Sequence, residues 1–149
     1  MKKISLILTF LLSGLLYADN SPVGVWTTID DETKKPKSEI KIEERGGKLY
    51  GTIIKLLNIE PDATKNAEGK VICTGCKDPN EKDKPIEGLT IMRGLSQDGD
   101  EWSGGTIMDP KDGKVYKCKI EVIEDGKKLK VRGYIGVSFA GRNQFWVRK

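Results

Sequence analysis

The chain has 149 residues, with 26 Lys and Arg against 22 Asp and Glu, a formal net charge of +4, and no histidine at all. The missing imidazole excludes Ser-His-Asp and Cys-His catalysis, His-ligated zinc and a histidine pH switch. Charges of both signs interleave, as in Glu39-Ile40-Lys41-Ile42-Glu43 and Lys117-Cys118-Lys119-Ile120-Glu121. That pattern describes a solvated exterior and not a nucleic-acid footprint.

Residues 1–18 have the form of a secretory signal peptide. Lys2 and Lys3 make a positive start, Ile4 to Leu16 an apolar run, and Leu16-Tyr17-Ala18 a small-residue cleavage site. The apolar run is shorter than the ~20 residues a bilayer core requires. No cysteine follows it to carry a lipid. The expectation is cleavage near Ala18 and a periplasmic or secreted product, with residues 19–149 forming a single domain.

Along residues 19–149 the apolar period is two almost throughout. It predicts strands at Val23 to Asp30, Ser38 to Glu44, Leu49 to Leu56, Gly88 to Leu95 and Trp102 to Met108. Three more follow at Val115 to Ile123, Leu129 to Gly136 and Asn143 to Arg148. Gly46-Gly47, Asp98-Gly99, Asp109-Pro110 through Gly113, and Asp125-Gly126 supply the turns. Residues 57–86 break the rhythm: they are polar, punctuated by proline, and contain Cys73 and Cys76. A connection of that length is a functional loop, a lid or a partly helical segment.

Eight antiparallel strands on short turns give an all-β fold, either a sandwich or an up-and-down barrel. An eight-stranded barrel has an interior filled by side chains or holding one small ligand. In the sixth strand Tyr116, Cys118, Ile120 and Val122 share one face, and Lys117, Lys119 and Glu121 the other. A charged outer face argues against an outer-membrane barrel.

Few residues carry recognisable chemistry. Cys73-Thr74-Gly75-Cys76 is followed by Lys77-Asp78-Pro79, which is a poor helix start for a thioredoxin-like thiol. Zinc would need a fourth ligand, and only Cys118 remains as a soft donor. A structural disulfide is the simpler reading, either Cys73 to Cys76 or one of them to Cys118. Asp109-Pro110-Lys111-Asp112-Gly113 and Asp98-Gly99-Asp100-Glu101 are turns without the ligand ladder of a calcium loop. No metal or cofactor is expected. One constellation remains: Arg132 and Tyr134 on one face of the seventh strand, with Gln144, Trp146 and Arg148 on one face of the eighth.

Gly88-Leu89-x-Ile91-x-x-Gly94-Leu95, Trp102-x-Gly104-Gly105-x-Ile107-x-Asp109-Pro110-x-x-Gly113-Lys114-x-Tyr116 and Val131-Arg132-Gly133-Tyr134-Ile135-Gly136 recur together with Gly141-Arg142-x-Gln144-x-Trp146-x-Arg148. This set, with Gly24-x-Trp26 before it, resembles the family of exported bacterial proteins known as DUF2147. The resemblance implies a lipocalin- or calycin-like barrel in which Trp26 packs at the closed end. It also implies an arginine near the last strand, Arg148 or Arg142, lying over that ring by cation–π contact. The carboxy-terminal helix of lipocalins has no counterpart here.

These readings combine into an expectation of a non-catalytic, exported barrel that binds a small apolar or amphipathic molecule. Trp26, Tyr116, Arg132 and Tyr134 would contact that ligand. Arg142, Gln144 and Trp146 would complete its site. Nucleic acid and membrane insertion are not expected. The alternative is a filled barrel acting as an envelope protein-interaction or structural module, with residues 57–86 as its contact surface.

Overall fold

A computed structural model describes residues 20–137 and 140–149. The leader expected over residues 1–18 lies outside the described residues. Eight strands form one closed antiparallel barrel in simple sequence order. They are β1 (Gly24–Ile29), β2 (Pro36–Arg45), β3 (Lys48–Leu56) and β4 (Thr90–Asp98), then β5 (Glu101–Met108), β6 (Val115–Ile123), β7 (Lys128–Tyr134) and β8 (Arg142–Arg148).

The boundaries differ from the sequence expectation where glycines intervene. β4 begins at Thr90 and not at Gly88, whose N–H donates to the Ile53 carbonyl at 2.7 Å from outside the ladder. β7 ends at Tyr134, and the chain bends away through Gly136 at φ +77°. The possibility of partial helix in residues 57–86 is not realised. Turns and two isolated bridges, Lys65↔Val71 and Ile72↔Pro85, organise that segment.

Because side chains alternate across a strand, period two becomes an inside and an outside. Ile40, Ile42, Leu49, Met92, Leu95, Cys118, Ile120 and Leu129 point inward, each at most 1% exposed. Their charged neighbours face water. The short β2–β3, β4–β5 and β6–β7 hairpins lie at one end of the barrel, with the start of β1 and the end of β8. The longer connections 30–35, 57–89 and 109–114 lie at the other, with the end of β7 and the start of β8.

Residues 57–89 pack along the rim of that second end. Cys73, Cys76, Ile86 and Leu89 are buried and belong to the same apolar core as the barrel interior. Cys73 and Cys76 form a disulfide with a Cα–Cα distance of 5.5 Å, which selects one of the pairings left open by the sequence. Cys118 is the free thiol, buried among inward side chains. The disulfide turn rests on the β5–β6 connection, where Cys76 Sγ lies 4.0 Å from Met108 Sδ.

Candidate functional site

The hairpin end is sealed from the first strand outward. Trp26 is fully buried and donates its indole N–H to the Pro22 carbonyl at 2.8 Å. The Arg148 guanidinium lies over the ring, 4.1 Å from its centroid. Its other donors reach backbone carbonyls, with Nε to Gly126 at 2.6 Å, Nη2 to Ser21 at 2.7 Å and Nη1 to Val23 at 3.3 Å. The covering arginine is therefore Arg148 and not Arg142. Trp26, placed among the ligand contacts by sequence, belongs to this cap.

Above the cap the interior is packed, with Ile40, Ile42, Leu49, Leu95, Ile120 and Leu129 buried in one apolar cluster. The lining changes toward the end that carries the long loops. Ile107 and Tyr116 pair across β5 and β6 and are only half-buried. Gly133 on β7 is inward beside them: a Cβ there would stand 3.5 Å from Tyr116 Cβ and 3.8 Å from Ile107 Cγ2. Gln144 is half-buried and Arg142 exposed on the same face of β8 as buried Trp146.

A polar chain links these last residues. Trp146 Nε1–H donates to Gln144 Oε1 at 3.3 Å, which fixes the amide orientation. Gln144 Nε2 then donates to Asp31 Oδ2 at 3.3 Å, and Arg142 Nη2 pairs with the same oxygen at 2.9 Å. On the adjoining wall Thr28 Oγ1 and Ser38 Oγ are 2.7 Å apart and buried, with the Ser38 N–H donating to Thr28 Oγ1 at 3.1 Å. The loop end thus carries a half-buried apolar pair, Ile107 and Tyr116, and, on β8 and the β1–β2 connection, neutral and charged hydrogen-bonding groups.

The structure does not unite the two halves of the predicted constellation. β7 and β8 pair Val131 with Gln144 and Arg132 with Asn143. Gln144 and Trp146 therefore look inward while Arg132 and Tyr134 look outward. Arg132 Nη1 donates to Asn143 Oδ1 at 2.8 Å on the outer surface. Asp31, the acceptor that joins Gln144 to Arg142, was not among the expected site residues. It sits in an exposed turn far from β8 in sequence, and only barrel closure reveals its role. Cys118 has no place in the site: burial pushes its thiol up to about 12, leaving a neutral core group.

The architecture agrees with a protein from the human pathogen Helicobacter pylori, HP1028, described as belonging to the lipocalin family. The TM-score is 0.70 at 20% identity, covering 87% of this chain and 84% of that one. At this identity the likeness concerns the fold alone. No curated protein matches the chain. The model of the family described as "Uncharacterized protein conserved in bacteria (DUF2147)" matches residues 24–148, the whole extent of the barrel, and the chain belongs to that family.

Proposed function

We propose that this protein is an exported, non-catalytic carrier or receptor whose open barrel end holds a small amphipathic molecule. One observation carries the reading: toward the loop end the packed interior gives way to half-buried Ile107 and Tyr116, at the same end as the hydrogen-bonded Gln144, Arg142 and Asp31. Apolar surface gives non-directional affinity, while a few placed donors orient a polar head. The solid lower half limits the occupant to a shallow cup. The lipocalin-like fold is consistent with this use, and the leader-like sequence of residues 1–18 supports export.

Native mass spectrometry of protein purified from its own host tests the proposal. The expected result is a bound small molecule, lost on solvent extraction. Tyr116→Ala and Gln144→Leu should weaken binding of an extracted ligand about tenfold or more. A protein that stays at its apo mass and displaces no fluorescent lipid probe defeats the idea.

The exposed apolar residues Ile59, Val115, Ile135 and Val137 on the loop end favour one second reading, a protein-contact surface. Periplasmic pull-downs with Ile59→Ser and Ile135→Ser would lose partners if that reading holds.

A further inference from the structure

Seven of the eight joints of the barrel are ladders that run along most of both strands. The joint between β1 and β8 is different. Trp26 pairs with Arg148, Thr27 pairs with Val147, and the Lys149 N–H reaches the Val25 carbonyl at 3.0 Å. There the pairing stops, although β1 runs on to Ile29 and β8 starts back at Arg142. Continuing the same register would set Ile29 opposite Phe145. Instead β1 shifts register against β2 between Thr28 and Ile29, and such an irregularity bends a strand away from its neighbour.

The upper part of this joint is spanned by side chains. Asp31 reaches across from the β1–β2 connection to Arg142 and Gln144. Thr28 and Trp146 are buried on the inner side of the gap, and half-buried Ile29 also borders it, as does Phe145, which is 47% exposed. An exposed ion pair is a weak fastener. Parting the strands here breaks no ladder pair, whereas any other joint would have to give up several.

We propose that this gap is a side door to the cup, with Asp31 as its latch. The apolar part of an amphipathic ligand passes between Ile29 and Phe145 while its polar head stays at the rim beside Arg142. The inference rests on the cup described under Proposed function and adds the route by which it fills.

Stopped-flow uptake of 1-anilinonaphthalene-8-sulfonate, with amide hydrogen exchange on the same samples, tests the door. Asp31→Asn should raise both uptake and release rates several-fold. Lys111→Gln, which breaks another exposed ion pair on the same rim, with Glu60, should change neither. An oxidised pair made by Ile29→Cys with Phe145→Cys should slow uptake at least tenfold, with recovery on reduction. In the unmodified protein the Phe145 amide should exchange faster than that of Val147. Uptake at the normal rate through the oxidised pair overturns the door and leaves the cup standing. No uptake by the unmodified protein overturns the cup and the door's role with it. A Phe145 amide as protected as Val147 overturns the door whatever the probe does.

Discussion

Among its partners, Arg148 serves with one planar group the face of Trp26 and the carbonyls of Gly126, Ser21 and Val23. A guanidinium suits this because its donors form a rigid fork, which an ammonium cannot match. Arg148→Ala should destabilise the barrel by about 2–4 kcal/mol, combining the lost cation–π contact with unpartnered carbonyls. Arg148→Lys should recover little of it, and urea denaturation would show both. The resemblance implied an arginine over Trp26 but left Arg142 and Arg148 equal, because both lie on one face of the last strand. What separates them is height along the barrel, and side-chain alternation contains no height. The same limit applied to Arg132 and Tyr134, whose face was legible but whose inward or outward sense was not. At Cys118 the sense was legible, since Tyr116 and Ile120 flank it on an apolar face. Its thiol, pushed up to about 12 by burial, should resist iodoacetamide between about pH 7 and 9 in the native state, because the thiolate is the nucleophile. It should label readily in urea. Native labelling at the unfolded rate would contradict the burial.

At the scale of elements, the strands were legible and the long loop was not. Strand existence follows from local period two, and every predicted strand has its counterpart. Residues 57–89 owe their shape to contacts distant in sequence: a core share through Cys73 and Ile86, an ion pair between Glu81 and Arg93, and seating on the β5–β6 turn. The seating is backbone against backbone. A Cβ on Gly75 would lie 2.7 Å from the Asp112 carbonyl carbon, and one on Gly113 would collide with the Gly75 carbonyl oxygen. Gly113 also holds φ at +72°, a region L side chains rarely adopt. Gly75→Ala should therefore lift the loop from its seat and cost about 1–3 kcal/mol, the usual penalty of overpacking. Reduction should cost only about 2 kcal/mol by chain entropy, since the Cys73–Cys76 ring is short. Comparing the two by thermal melts, with exchange measured at Cys73 and Ile86, separates them. Reduction should leave those amides largely protected, whereas Gly75→Ala should expose them.

Over the whole molecule, the barrel is asymmetric in a way that bears on what it can hold. One end is capped by Trp26, the middle is packed by Ile40, Leu49, Leu95 and Ile120, and the proposed cup would begin only near Ile107 and Tyr116. Cup depth is therefore set by the side chains beneath it and not by the strand number, which eight-stranded ligand carriers and filled barrels share. Met92 stands at this floor. It is fully buried, pairs with Ile107 across β4 and β5, and with Gly51 across β3 and β4. Met92→Ala would remove volume directly below the half-exposed lining. If the cup is the binding site, the new space joins it, so the variant should bind longer-chain amphiphiles than the parent while losing about 2–5 kcal/mol of stability. Titration with a fluorescent fatty-acid series of increasing length would read this as a shift of the optimum toward longer chains. Loss of stability with no shift in chain length would mean that the floor is sealed from the mouth. The barrel would then be a filled support for its loops, and the exposed apolar rim would become its working surface.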